Sequence, residues 1–546
     1  MADDLTLTTA FAALARETPD AVALVEVFGG TTRQVTFAEL EVLGAGLAQA
    51  LAEHGVRRGD VVGVWLPNTV ESVALELALA RLGAATLGVN TRYGEHEIAH
   101  LLATGRPVGM IAPADFHGID FAGRLAAAVE ANAASAPPPK WVAWIGRDAG
   151  AVGSVSSWQL EPVLEGGSAT YDEGQPHDPV NYFTTSGSTG LPKLAGHDQQ
   201  SVVRHARNAA AAFGMRPGDA SLGVLPLSGV FGFNHVIAML LTGGTTVLVP
   251  VFDPVETVLA MAEHGVTHVI GGDDLFGRLR EGWESAGRPA LAWRRGGIAD
   301  FGGSAVACVA WAEEQFGADV TGVYGSSEVF ALTAAWPAGL PLDARARGGG
   351  RVVAPDIEVR VVDPDTGLEA ARGRTGELQL RGYNVVTDYL GSTGADPFTE
   401  DGWFRTGDLG HQGDRDDEFV YLCRAGDALR LRGFLVEPAE IERFLMDQPG
   451  VDTAKVVAAP DGDGTDVVVA FVTVDSDDRG RAVTADDLLG TARARLAAFK
   501  VPRAVRVVDE LPVTSGTNGT KIRSAVLREW AVALLAETAS HQEETR

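Results

Sequence analysis

Between Tyr182 and Lys193 the chain reads Tyr-Phe-Thr-Thr-Ser-Gly-Ser-Thr-Gly-Leu-Pro-Lys. The hydroxyls of Thr184, Thr185, Ser186, Ser188 and Thr189 are interleaved with Gly187 and Gly190, and Lys193 closes the run. A glycine-rich backbone can turn its N–H groups toward phosphate oxygens, while hydroxyls add donors and an ammonium adds charge. No Gly-Lys-Ser/Thr follows at Walker A spacing, so any phosphate loop here is of another kind. A Ser/Gly linker is the bland alternative; the apolar strand before the run and Pro-Lys at its end favour the phosphate loop. Only five of the 44 basic residues are lysine: Lys140, Lys193, Lys455, Lys500 and Lys521. Against that arginine bias, a compact point charge in place of a planar fork is a reason for keeping one.

Two metal-like spacings do not hold up. Asp461-Gly-Asp-Gly-Thr-Asp466 begins like a calcium loop, but Asp466 stands where glycine is needed and Val472 where glutamate is. His264 and His268 are spaced as a helical metal pair, yet Gly265 between them argues for a helix end.

The elements that must position the loop follow from hydrophobic periodicity. Val61–Leu66 and Ala84–Val89 are short apolar strands, and Val70–Leu82 between them is helical. Such units imply parallel sheets covered by helices. Further αβ units run through residues 201–249 and 254–270, while 133–139 reads as a stiff surface linker. From Arg351 shorter strands appear, Glu358–Val362 and Gly376–Arg381. The last section mixes strands (Lys455–Ala459, Val467–Val474) with a helix around Ala485–Ala498. The fold expected is α/β: a large N-terminal body of parallel αβ sheets over residues 1–425, with a small β-rich subdomain at about 345–425, then a mobile α+β lobe over 426–546.

Composition narrows the function. Hydrophobic residues at 46% and charged residues at 21% fit a globular chain of 546 residues. Seventy-two acidic residues against 44 basic give a net charge of −28, which disfavours nucleic acid and anionic membrane surfaces as partners. Cys308 and Cys423 form no metal spacing and no disulfide framework, so a reducing cytoplasm is expected. The apolar stretch Gly229–Phe252 is interrupted by Asn234, His235, Gly243, Gly244 and Pro250, and reads as a helix followed by a buried strand, not a membrane span.

Four further segments follow in order: Val323-Tyr-Gly-Ser-Ser-Glu328, Gly402-Trp-Phe-Arg-Thr-Gly-Asp408, Arg424-Ala-Gly-Asp427 with Arg432-Gly-Phe-Leu-Val-Glu437, and Leu511-Pro-Val-Thr514 leading to Asn518-Gly-Thr-Lys521. With the Thr/Ser/Gly loop, they resemble the adenylate-forming superfamily of acyl-CoA synthetases, peptide-synthetase adenylation domains and luciferases, across nearly the whole chain. The resemblance implies ATP, magnesium and coenzyme A as cofactors. It implies that Thr184 through Gly190 and Lys193 bind ATP, and that Gly302, Gly303 and Ser304 line the adenine pocket. Tyr324 would pack on adenine beside Gly325 and Ser326, Ser327 donate to the α-phosphate, and Glu328 serve as the magnesium-associated carboxylate. Asp408 would take the ribose hydroxyls, with Arg424 also at the nucleotide. Lys521 would be the catalytic cation, neutralising charge as a carboxylate attacks the α-phosphate. Asp427 matches the hinge, and Arg430, Arg432 and Gly433 would face coenzyme A.

Three departures stand out. Leu225-Pro-Leu227 leads into Ser228-Gly229 where an aromatic residue and histidine are usual, Gly426 replaces the lysine before the hinge, and Thr520 is an extra residue before Lys521. The expected acyl wall (Ser228, Gly229, Phe231, Phe233, Asn234, Gly271 and Val329) is apolar and glycine-rich, with no carboxylate in 228–234 to pair with an α-ammonium. A small carboxylic acid with a sizeable apolar body is the expected substrate. Three readings follow: a complete acyl-CoA ligase, an adenylating enzyme that delivers its acyl group to a carrier protein or partner, and a degenerate nucleotide-binding protein.

Overall fold

Thr69 starts a helix at Val70–Leu82 by accepting the Ser72 N–H, and Gly83 stops it in the left-handed conformation at φ 66°. Nearly every residue of that helix is buried, because it lies between the two main sheets of the computed structural model. The structure describes residues 5–161, 172–185, 192–364, 366–386, 389–391, 396–431, 434–436, 438–461, 466–474, 483–498, 500–516 and 519–544.

The smaller main sheet has seven described strands, in the order Ser156–Gln159, Trp141–Ile145, Gly109–Pro113, Val61–Val64, Ala85–Gly88, Pro179–Thr184 and Leu194–Asp198. Its neighbours run parallel until the last pair, which is antiparallel with Thr184 opposite Leu194. That pair delivers Thr185 and Lys193 to the two sides of one loop.

The larger sheet has thirteen described strands. Its parallel part includes Thr245–Leu248, Ala220–Gly223, His268–Gly272, Arg295–Ala299 and Asp319–Tyr324. The two-residue strand Ala334–Ala335 then turns it antiparallel, and Gly349–Val352, Glu418–Arg424, Phe404–Gln412, Gly376–Arg381 and Glu358–Val362 continue it. The β-rich section expected from about residue 345 is therefore hydrogen-bonded into the sheet of the body.

The helix Val230–Leu240 is buried along its whole length, and the strand Thr245–Leu248 follows it, as the apolar stretch suggested. Each large apolar side chain enclosed here contributes about 1.5–3 kcal/mol. Among the described residues no helix is long and apolar enough to cross a membrane. The last section forms a three-stranded sheet, Val451–Pro460, Asp466–Val474 and Ala504–Val507, with the helices Pro438–Met446, Ala485–Arg495 and Ser524–Glu544. Its hairpin Val513–Gly516 and Gly519–Ile522 sets Lys521 opposite Thr514, and this hairpin lies beside the helix Asp273–Ser285 of the body.

Candidate active site

The loops after several parallel strands converge, where open α/β sheets bind ligands. At the first, the Thr185 N–H donates to the Lys193 carbonyl at 2.9 Å, and the Lys193 N–H returns a bond to Thr185 Oγ1 at 3.2 Å. These bonds close the base of the Thr/Ser/Gly loop, whose Ser186, Gly187, Ser188, Thr189 and Gly190 lie outside the described residues. Thr184 is tied from both sides: Tyr93 Oη lies 3.0 Å from its Oγ1, and Ser327 Oγ donates to its carbonyl at 3.1 Å.

Tyr389 joins this end to Glu328. Its ring lies 4.7 Å from the Lys193 ammonium, within cation–π range, and its hydroxyl feels the Glu328 carboxylate. Burial and then the Glu328 charge raise the Tyr389 hydroxyl above its ordinary range, so it stays a neutral donor. Tyr389 reaches the site because it bridges to Ala195, while the Leu390 N–H donates to the Leu194 carbonyl at 3.0 Å. Sequence reasoning missed this residue, since only that pairing brings it near Lys193.

Glu328 opens a turn with three successive non-glycine residues at positive φ: Phe330 at 59°, Ala331 at 47° and Leu332 at 38°. Left-handed backbone costs an L-residue about 1–2 kcal/mol. Within the turn Thr333 Oγ1 donates to the Val329 carbonyl at 2.8 Å, and buried side chains from other elements hold the rest. Ring Nε2 atoms of His197 and His205 donate to the Ser327 and Ala331 carbonyls at 2.7 and 2.8 Å. Asn234 Nδ2 donates to the Phe330 carbonyl at 2.9 Å, and Asn384 Nδ2 to the Val329 carbonyl at 2.8 Å. Burial lowers both histidines to about 4, so they are neutral at physiological pH. Gly325 is required because a Cβ there would fall 2.5 Å from the Ala331 Cα. The Glu328 N–H donates to Ser326 Oγ at 3.3 Å.

On the adjoining strands, Tyr324 Oη donates to Asp408 Oδ2 at 2.6 Å, and Arg424 Nε lies 3.1 Å from Asp408 Oδ1. Asp408 and Arg424 are register partners across the strands Phe404–Gln412 and Glu418–Arg424. Burial first, and the Asp408 charge next, push the Tyr324 hydroxyl far above its usual range. The Tyr324 ring packs edge-on against Phe419, 5.0 Å between centroids.

The loop Gly302-Gly303-Ser304 wraps a pair of acids. Asp273 accepts the N–H groups of Phe301, Gly302 and Ser304 and the Ser304 hydroxyl at 2.9–3.1 Å, while Asp300 accepts the Gly303 N–H at 2.8 Å. Burial, and then the neighbouring Asp273, raise the Asp300 carboxyl to about 6. Gly303 has φ 90°, and a Cβ on it would lie 2.8 Å from Met446 Cε of the last section.

At the expected acyl wall, Gly229 caps the helix Val230–Leu240, and Ser228 lies against Gly88, whose missing Cβ leaves room for it. Ser228 and Phe231 are buried. Phe233 is wholly enclosed, T-shaped on Phe183 at 5.3 Å, and Asn234 faces the strained turn. Gly271 lies in the strand His268–Gly272, and Val329 is fully buried at the start of the turn. In the last section Arg528 donates to Asp427 Oδ1 at 2.5 Å and to the Gly426 carbonyl at 2.7 Å. For Arg430 and Lys521 the structure describes the backbone alone; Arg432 and Gly433 lie outside the described residues.

Comparison with known proteins gives this geometry a family. The model of AMP-binding enzymes matches residues 11–390, and that of the AMP-binding enzyme C-terminal domain matches 440–516. The chain is 31% identical to indoleacetate–CoA ligase of Aromatoleum aromaticum over 88% of this chain and 91% of that one. It is 30% identical to a 7a-methyl-1,5-dioxo-octahydroindenyl-propanoyl:CoA ligase of Mycobacterium tuberculosis, over 94% and 97%. Among solved structures it resembles the amide bond synthetase McbA of Marinactinospora thermotolerans, with TM-score 0.78, 26% identity and coverage of 96% and 99%. The first match alone spans well over half of the chain, and the chain belongs to the AMP-binding enzymes of the adenylate-forming superfamily.

Proposed function

We propose that the enzyme is an AMP-forming carboxylate–CoA ligase. It condenses an apolar carboxylic acid with ATP to acyl-AMP and pyrophosphate; the thiol of coenzyme A then displaces AMP to leave an acyl thioester. The observation that carries this reading is the run from Lys193 through Tyr389 to Glu328 beside the Tyr324–Asp408 pair. It sets a cation, a carboxylate and a nucleoside grip at one end of the sheets.

In this reading Thr184, Thr185, Lys193 and the intervening loop hold the phosphates. Tyr324 packs on adenine near Gly302–Ser304, Asp408 takes the ribose hydroxyls under the Arg424 charge, and Ser327 leaves the Thr184 carbonyl to turn its hydroxyl to the α-phosphate. The carboxylate of Glu328, with hydroxyls nearby, is the hard oxygen donor that magnesium prefers, and magnesium there supplies charge neutralisation to the phosphates. Lys521 comes in on the last section and lowers the barrier as two anions meet. Asp427 is the hinge, the body ends at about residue 425, and the lobe beyond it brings Arg430, Arg432 and Gly433 toward coenzyme A. With two cysteines in the sequence, Cys308 and Cys423, and no disulfide framework, a reducing cytoplasm is the compartment of this reading.

The substrate class is an acid with a bulky apolar body. The acyl wall supports this, and so do the relatives, whose acids carry an indole and a fused carbocycle. A second reading, transfer of the acyl group to an acceptor other than coenzyme A, such as a carrier protein, is favoured by the likeness to an amide bond synthetase. Pyrophosphate exchange with a panel of ring-bearing acids, repeated with coenzyme A and a thioester assay, separates them. Exchange with thioester supports the ligase, exchange without it the second reading, and no exchange with any acid overturns both.

A further inference from the structure

We infer that His205, Asn234, Asn384 and His197 are positioning residues for adenylation: their N–H groups hold the turn after Glu328 and thereby aim that carboxylate. This inference rests on the proposed function. The four donors come from separate places: the strand Leu194–Asp198, the helices Gln199–Phe213 and Val230–Leu240, and the segment after the strand Gly376–Arg381. They converge on the carbonyls of Ser327, Val329, Phe330 and Ala331.

Residues in sparsely populated backbone regions persist only where their surroundings over-determine them, and they gather at functional sites. Here the unfavourable conformation begins two residues after the carboxylate assigned to the metal. The donors are themselves oriented. His205 Nδ1 accepts from Tyr383 Oη at 3.1 Å, leaving Nε2 as the donor, and Asn208 in turn donates to Tyr383 Oη at 2.8 Å. Phe330 is gripped by rings, with centroids 4.5 Å from His197 and 5.3 Å from His205. The Ala331 N–H donates back to the Ser326 carbonyl at 2.9 Å, closing the loop that carries Glu328. A lost donor therefore lets the loop relax toward ordinary backbone and carries Glu328 away, while the Tyr324–Asp408 grip stays in place.

The test is ATP binding by calorimetry, in magnesium and in EDTA, for the wild type, His205→Phe, His205→Gln and Asn234→Leu, with circular dichroism as the folding check. His205→Phe keeps a ring but has no donor; His205→Gln restores a donor. The wild type is expected to bind ATP more tightly in magnesium. His205→Phe and Asn234→Leu should bind about tenfold more weakly than wild type in magnesium and within about twofold in EDTA, with His205→Gln near wild type. Wild-type affinity in magnesium for the donor-less variants overturns the inference. So does an equal loss in both media, or a wild type that gains nothing from magnesium. Should the wild type bind no ATP at all, the proposed function itself fails.

Discussion

The hydroxyl of Tyr324 donates to the carboxylate of Asp408 across 2.6 Å, with both side chains buried. Read separately from the sequence as adenine and ribose residues, the two form one unit. Tyr324→Phe keeps the ring and removes the bond. A hydrogen bond to a charged group is worth about 1.5–3 kcal/mol, so the ATP dissociation constant should rise about tenfold or more. Calorimetric titration measures it, and an unchanged constant would show that Asp408 needs no help from Tyr324.

The proposed mechanism gives Lys521 a part in one half-reaction, so its test is different. Lys521→Ala should reduce pyrophosphate exchange by about a hundredfold or more, the scale of a lost transition-state charge contact. Thioester formation from supplied acyl-adenylate should survive. Equal damage to both would remove Lys521 from the first step.

At Tyr389 two substitutions divide two contacts. Tyr389→Phe keeps a ring beneath Lys193 and loses the hydroxyl on the Glu328 side, whereas Tyr389→Leu loses both. Adenylation should fall about fivefold in the first and further in the second, by the additional ~0.5–1 kcal/mol of a cation–π contact. Identical rates for the two variants would mean that the ring does nothing for Lys193.

Asp300 predicts a stability difference that depends on pH. Its carboxyl is raised from 3.8 to about 6 by burial and by Asp273. The folded protein therefore holds this proton more tightly than the unfolded chain. That contribution is fully present below pH ~4 and is lost as pH rises through about 6. Asp300→Asn mimics the protonated form. Its unfolding free energy should exceed that of the wild type by about 1–3 kcal/mol at pH 8 and differ little at pH 4. Urea titrations at both pH values decide; an equal difference at both would show that the proton has no part.

Much of this was legible in the chain. The helix Val70–Leu82 and the strands Glu358–Val362 and Gly376–Arg381 lie where periodicity put them, because their signals are local. The ordered motifs brought Thr185, Lys193, Tyr324, Glu328, Asp408 and Arg424 into consideration together. Tyr389, His197, His205 and Asn384 were not read, since a lone His or Asn between apolar neighbours has no periodic signature and its partner is far off in sequence. His205 meets Tyr383 across 178 positions. The continuity of the larger sheet was hidden for another reason: it passes through Ala334–Ala335, two residues too short to announce a strand.

That short bridge has a mechanical consequence. Tyr324, Asp408 and Arg424 stand on strands of a single sheet, while Lys521 rides on a separate two-stranded hairpin. In the proposed mechanism, a swivel of the tail end withdraws the trigger without loosening the clasp, so the intermediate made in one stroke is still in hand for the next.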